Sequence, residues 1–197
     1  RRLHEEIDST FLYVTHNQDQ ALKLADKLVI LNHGRIEQVG TPREVYHQPA
    51  SAFVGQFVGD SNSFVGESAP AENGGVTVQT DIGEVTAMAQ GSPAEGGEQS
   101  ITIVRPENVV FGEAAAGREN VFEGTLVDWT YMGKETEYVF EFPDIDYTLQ
   151  SVRDGTPRVT DDDIGSTMSV GWAAEDALCF ETLSVRPTAT IDNLIEV

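Results

Sequence analysis

Cysteine and long apolar runs are scarce in this sequence, and each scarcity excludes a class of protein. The single cysteine, Cys179, rules out an internal disulfide, and its neighbours Leu178 and Phe180 predict a buried core thiol. No apolar run approaches the roughly 18 to 20 residues that span a bilayer. The charged start, residues 1–6, has neither the apolar region of a signal peptide nor an initiator methionine. We therefore expect a piece of a longer chain.

Basic residues are scarce beyond residue 50, where six Lys and Arg face 26 Asp and Glu. Residues 1–50 are nearly balanced, with six against seven, and the whole chain of 197 residues carries a formal net charge of −21. Such a surface repels nucleic acid, so we expect no nucleic-acid partner. The acids are scattered and do not form a tail, which favours adaptation to high salt.

A phosphate-binding loop is also absent. Lys134 follows Gly133, but the frame G-x-x-x-x-G-K-[ST] would need glycine at position 128 and Ser or Thr at 135. The sequence has Asp128 and Glu135 instead, and no other stretch fits the frame. We therefore expect neither tight ATP binding nor ATP hydrolysis by this chain alone.

No metal site is expected either. The triplet Asp161-Asp162-Asp163 lacks the alternating ligand spacing and the distal Glu of an EF-hand. The histidines His4, His33 and His47 have no metal-binding spacing with one another or with Cys179, so we interpret them as surface residues.

A strand, a polar tip and a helix follow one another between residues 10 and 26. The apolar run at 10–15 predicts a buried strand, and the residues from Gln18 to about Asp26 have helical periodicity. Asn17 is a suitable helix N-cap, and His16 stands at the strand tip. Ligands bind at the carboxyl ends of strands in α/β folds, and a helix start suits a phosphate.

The amino-acid sequence around His16 resembles that of a known family. The segments Tyr13-Val-Thr-His-Asn-Gln-Asp-Gln-Ala21 and 24–46, then Pro49-Ala and Phe57-Val-Gly59, resemble the end of an ABC-transporter ATPase of the sugar, polyamine or iron importer type. The resemblance runs from about residue 1 to residue 64. It implies that His16 is the switch-loop histidine, a catalytic and nucleotide-contacting residue at the γ-phosphate. Asn17 replaces the usual Asp of that subfamily, and it caps a helix about as well.

Local signals predict the rest of this first part. The run 28–31 should form a strand that turns through Asn32-His33-Gly34 into a hairpin partner at 35–39. Thr41-Pro42 with Glu44 predicts a capped helix, and residues 52–57 predict another short helix ended by Gly59. Residues 1–8 have the pattern of a helix end.

After Gly59 the helical periodicity disappears and short alternating segments take over. We predict strands at 76–79, 84–88, 101–104, 120–127, 137–142, 147–150 and 167–170. Many short strands with glycine-rich turns are typical of a small barrel or sandwich. Trp129 and Tyr131 alternate on one strand face, where the core or a partner contact is the expected environment. We expect Trp129 to lie in the core and Met132 at the surface.

The second part resembles the TOBE domain, an OB-like barrel appended to importer ATPases. The resemblance rests on Val104-Arg-Pro-Glu-Asn-Val109, on the stretch 120–133, and on Gly171-Trp-Ala-Ala-Glu-Asp-Ala177. We therefore expect an α/β tail of an ABC nucleotide-binding domain at 1–59, an all-β OB-like barrel at 60–182, and a tail at 183–197. Leu183 and Val185 could add a last strand.

The resemblances together imply a function. The parent would be the ATP-binding subunit of an ABC importer, using ATP and Mg²⁺ and working as a homodimer beneath permease subunits at the cytoplasmic face of the membrane. A solute-binding protein would be an indirect partner. The Leu-Ser-Gly-Gly signature and the strand ending in Asp-Glu are missing here, so no cofactor is expected for this chain alone. The alternative is a ligand-sensing barrel that binds an oxyanion or an inducer through clustered Ser, Thr and Lys.

Overall fold

The computed structural model describes residues 10–71, 74–90, 98–143 and 145–181. The chain divides between Gly59 and Asp60 into two compact units. In these described stretches, no helix combines the length and the apolar character that crossing a membrane requires. The expected helix end at 1–8, the residue His4, and the tail from residue 183 with Leu183 and Val185 lie outside the described residues.

The first unit is a hairpin packed on three short helices. Its elements are α1 (Gln18–Leu24), β1 (Leu28–Asn32), β2 (Arg35–Gly40), α2 (Pro42–His47) and α3 (Ala52–Phe57). One face of β1 contributes Leu28 and Ile30 to a small core with Val45, Val54 and Val58. The predicted helices, hairpin strands and their order are confirmed, although α1 ends at Leu24.

Local chemistry explains these boundaries. The β1–β2 turn places His33 and Gly34 at positive φ (45° and 76°), as a two-residue hairpin turn requires. Thr41 and Glu44 form the predicted capping box at the start of α2. The hydrogen bonds that the Glu44 carboxylate accepts from Thr41 lower its pKa.

The predicted buried strand at 10–15 is wrong. No described residue in this stretch is in a strand, and the side chains from Phe11 to Val14 are between 59% and 89% exposed. A strand needs neighbours that pair with its backbone and cover its side chains. The described part of the first unit pairs no strand with this stretch and leaves the side chains of Phe11 to Val14 largely exposed.

In its described residues, the second unit is built of strands, short 3-10 helices and the segments that connect them. A closed barrel has the strand order β12-β5-β4-β3-β6, and a five-stranded sheet has the order β10-β9-β8-β11-β7. The strands are β3 (Asn62–Pro70), β4 (Val76–Thr80), β5 (Gly83–Ala89), β6 (Glu98–Val104), β7 (Val110–Phe111), β8 (Asn120–Tyr131), β9 (Glu135–Glu141), β10 (Thr148–Asp154), β11 (Thr167–Trp172) and β12 (Ala177–Glu181). The predicted all-β barrel is thus confirmed, and β3, β7 and β12 are strands that the sequence reading missed.

The barrel and the sheet are two sequence repeats that exchange their last strands. Asn62-Ser-Phe-Val-Gly66 opens β3 and Asn120-Val-Phe-Glu-Gly124 opens β8, so both repeats begin with N-x-F-x-G. In each repeat a 3-10 helix, at Pro106–Asn108 or at Ala174–Asp176, precedes the last strand. The strand after the first, β7, pairs with β11 of the second repeat, whereas β12 pairs with β6 and β5 of the first.

The two repeat asparagines connect the repeats through matching hydrogen bonds. Asn62 donates from Nδ2 to the Gln150 carbonyl (2.8 Å) and accepts from the Gln150 amide (2.7 Å). Asn120 does the same with Thr86, at 2.9 Å and 2.7 Å. Both side chains are at most 3% exposed. Each asparagine therefore satisfies the backbone of a strand in the other repeat, which a buried amide can do in both directions.

Aromatic rings fill the core between the repeats. The Phe64 and Phe122 rings, both from the N-x-F-x-G segments, lie 5.4 Å and 5.3 Å from the Trp172 ring. Met132 is 51% exposed, which confirms its prediction, whereas Trp129 is half-buried and packs against the same core, so the prediction that it lies in the core is confirmed only in part. Cys179 is buried as predicted, and burial raises the pKa of its thiol.

Candidate functional site

His16 lies at the start of α1, on a bend that the neighbouring residues hold in place. The Asn17 side chain accepts a hydrogen bond from the Gln20 amide (2.9 Å), and the Asn17 amide donates to Thr15 Oγ1 (2.9 Å). Asn17 is therefore the helix N-cap that the sequence predicted. The Tyr13 hydroxyl donates to Gln20 Oε1 at 3.3 Å. These bonds fix the backbone on both sides of His16.

The His16 side chain itself is exposed. None of the hydrogen bonds described for residues 10–59 involves its imidazole, so both ring nitrogens are free to meet a ligand there. A neutral imidazole can donate one hydrogen bond and accept one, which suits contact with a phosphate oxygen or an attacking water. His16 is the one residue for which the sequence predicted a catalytic role.

The remaining polar candidates have structural roles in the described residues. His33 occupies the hairpin turn, and the His47 ring contacts the Tyr46 ring edge-on at 5.2 Å. Asp163 accepts hydrogen bonds from Thr160 in a capping box over the 3-10 helix Asp161–Asp163. Within the described ranges, no three His, Cys, Asp or Glu side chains are grouped to hold a metal ion.

The closed barrel contains a buried set of hydroxyls that the sequence reading did not single out. Ser68, Ser100 and Thr102 are at most 1% exposed, and Cys179 lies beside them. Ser100 Oγ donates to Ser68 Oγ at 2.8 Å. An oxyanion site of the alternative kind would add a lysine, but Lys134, in the β8–β9 turn, is the only lysine beyond residue 27. The sequence signal for this set is the run of alternating small polar residues in β6.

Comparison with known families identifies the class of the second unit. Residues 102–180 match the family profile described as the TOBE domain. The match covers the end of β6, the whole second repeat and nearly all of β12. The second unit therefore contains a TOBE domain.

Comparison with curated proteins extends the likeness to the first unit. The chain is similar to spermidine/putrescine import ATP-binding proteins (PotA) from a Nostoc species, Marinobacter nauticus and Rubrobacter xylanophilus. The identities are 37%, 34% and 33%, over 71%, 87% and 90% of this chain and 37%, 46% and 47% of those proteins. The chain is thus a TOBE-containing relative of the C-terminal part of ABC importer ATP-binding subunits, as the resemblance predicted. It spans less than half the length of these relatives.

Among solved structures, a cytoplasmic molybdate-binding protein, ModG, is similar at 15% identity with a TM-score of 0.47. The likeness covers 61% of this chain and 95% of that one. It is too distant to carry an inference about ligands.

Proposed function

We propose that this chain is the C-terminal part of the ATP-binding subunit of an ABC importer that takes up a solute of the polyamine class. The observation that carries the proposal is the similarity to spermidine/putrescine import ATP-binding proteins across both units. Residues 1–59 would complete an ATP-binding domain, and the barrel would serve dimer contact and regulation. The parent would use ATP and Mg²⁺ as a homodimer beneath permeases at the cytoplasmic face of the membrane, fed by a solute-binding protein.

The exposed apolar surface of the first unit supports a place in a larger domain. Beside the exposed run 11–14, the hairpin face opposite Leu28 and Ile30 carries two exposed apolar pairs. These pairs are Val29 with Val39 and Leu31 with Ile36. Burying apolar area stabilises a protein by roughly 25 cal/mol per Å², so exposing eight large apolar side chains on so small a unit is costly. The remaining part of an α/β ATPase domain would cover them.

In this proposal His16 positions the γ-phosphate and the attacking water. Phosphoryl transfer depends mainly on positioning and electrostatic stabilisation, and a single imidazole can supply one hydrogen bond to each. The hydrogen bonds that fix the backbone on both sides of His16, and the exposure of its ring, suit this role. The phosphate loop and the magnesium carboxylates would come from the part of the parent outside this sequence.

Two measurements test the proposal. In the parent subunit, extended with its upstream reading frame, His16→Ala should leave ATP binding intact and lower turnover at least tenfold, while the matched His47→Ala should change neither. Unchanged turnover in the His16 variant would remove its catalytic role.

The second measurement uses the 197-residue chain by itself. Titration calorimetry should detect no ATP binding, because no phosphate loop is present in this sequence. Micromolar ATP binding by this chain would contradict the assignment of nucleotide binding to the rest of the parent.

A further inference from the structure

The interior of the closed barrel differs from the interior of the five-stranded sheet at equivalent positions. The N-x-F-x-G segments align Ser68 with Leu126, and the segments Val104–Val109 and 172–177 align three further pairs. These three pairs are Ser100 with Met168, Thr102 with Val170, and Cys179 with Phe111. In three pairs the barrel has a small hydroxyl residue where the sheet has a larger apolar one, and in the fourth the small thiol of Cys179 takes the place of a phenylalanine. One side of the barrel interior is therefore polar, whereas the equivalent side of the second repeat is apolar.

Hydrogen bonding satisfies this polar set only in part. Ser100 donates to Ser68, but Thr102 Oγ1 has no oxygen or nitrogen partner among the described residues. Its polar interaction is limited to the Cys179 thiol, which is a weak partner. A buried hydroxyl without a proper partner loses its hydration and regains little. Exposing this side of the barrel to water would restore that hydration.

Among the described residues, the barrel seam with the fewest paired residues lies at the same place. β12 pairs with β5 in parallel over two residue pairs, Leu178 with Met88 and Cys179 with Ala89. One further hydrogen bond joins the Gln90 amide to the Cys179 carbonyl at 2.8 Å. The other seams of the barrel extend over five to seven residue pairs. Within the described ranges, separating β12 from β5 therefore breaks few hydrogen bonds.

We propose that the barrel opens locally at the β5–β12 seam and that Cys179 reacts with thiol reagents in the open state. Few hydrogen bonds hold the seam, and the groups behind it gain hydration, so this opening costs less than unfolding of the unit. The five-stranded sheet offers no equivalent seam, because its described strands are not closed between β10 and β7. A low-molecular-weight disulfide that reaches the open state would trap it, which makes the seam a redox-sensitive switch. The inference rests on the fold and is independent of the proposed function.

The single cysteine makes the test direct. The Cys179 thiolate attacks one sulfur of 5,5′-dithiobis(2-nitrobenzoate), a mixed disulfide forms, and one thionitrobenzoate leaves per chain. We expect labelling in native buffer at least tenfold faster than global unfolding permits, with little dependence on urea below the unfolding transition. A labelling rate with the same urea dependence as tryptophan fluorescence would overturn the proposal.

A pair of matched variants tests whether the buried polar residues cause the seam to open. Thr102→Val removes the unpartnered hydroxyl at nearly constant volume, and it should slow labelling at least tenfold relative to the global unfolding rate. Thr77→Val, on the outward face of β4, should leave that ratio within twofold of wild type. An unchanged ratio in the Thr102 variant would refute the role given to the polar interior.

Hydrogen exchange gives a second readout that needs no substitution. The Gln90 amide, which bridges the seam, should exchange at least tenfold faster than the Val78 amide in the middle of β4. Equal protection of the two amides would contradict local opening, whatever the labelling rates.

Discussion

The buried amide of Asn62 provides the sharpest test of how the two repeats are joined. Replacing it with alanine removes the hydrogen bond donated to the Gln150 carbonyl and the one accepted from the Gln150 amide. Both backbone groups lie on the edge of β10 away from β9, so no strand is available to replace the asparagine. Unsatisfied buried groups cost about 1–3 kcal/mol each. Because the site is only partly closed to water, we expect a total loss of about 2–4 kcal/mol.

The assay is equilibrium urea unfolding followed by tryptophan fluorescence, since Trp172 lies in the core that the repeats share. A loss of about 2–4 kcal/mol is a large share of the roughly 5–15 kcal/mol that stabilises a typical domain. Asn120→Ala should cost a similar amount, because its two bonds to Thr86 have the same geometry. Asn108→Ala is the control, because no hydrogen bond from this half-buried side chain to another described residue is present.

The conservative variant Asn62→Asp separates hydrogen bonding from packing. Aspartate keeps the acceptor and nearly the same volume, but it loses the donor and places a carboxylate beside the Gln150 carbonyl. We expect it to be at least as destabilising as alanine at pH 7, and less so near pH 4, where protonation restores a donor. If Asn62→Ala cost less than about 0.5 kcal/mol at an unchanged denaturant slope, the connecting role would be refuted.

Three further predictions concern single residues and the charge. Gly66→Ala should destabilise strongly, by about 3 kcal/mol or more, since the added Cβ would lie 2.0 Å from the Gln79 carbonyl oxygen. Gly124→Ala, whose nearest atom is a side-chain carbon at 3.2 Å, should cost much less in the same urea titration. Burial, and then repulsion from Glu175, raise the pKa of Asp176, so its charged form opposes folding above that pKa. Asp176→Asn should therefore raise the melting temperature at pH 7, with the gain vanishing below about pH 4; a loss at pH 7 would contradict this. Finally, the melting midpoint should be higher in about 2 M KCl than in about 0.1 M, because salt screens the net charge of −21; equal midpoints would argue against adaptation to high salt.

The exposed run at 11–14 can be compared with what the resemblance to importer ATPases implies for this stretch. The sequence around His16 favours a strand inside an α/β sheet, yet Phe11 to Val14 are exposed here and pair with no described strand. Both observations agree with the proposed function, since such a strand would pair only within a complete ATP-binding domain. Expression of the parent should therefore bury these side chains, and protection of their amides from hydrogen exchange would report it.

Features that depend on residues close to one another in the chain could be predicted from the sequence. The Asn32-His33-Gly34 turn, the Thr41–Glu44 capping box and the alternation in the barrel strands are set by backbone geometry and by hydrogen bonds within a few residues. Family motifs in the sequence likewise indicated the TOBE domain and the resemblance of the first unit to importer ATPases. His16 could be singled out only through the family motif around it, because a histidine by itself carries little information about a ligand.

The way in which distant segments meet became clear only from the three-dimensional structure. No local signal shows that β12 leaves its own repeat to pair with β5 and β6, or that Asn62 bonds to Gln150 across most of the second unit. Such pairings depend on which backbone edges remain unpaired once all strands are in place. The same reason explains the run at 10–15. Its composition favours a buried strand, but only neighbouring strands can supply the hydrogen bonds and the cover that make one.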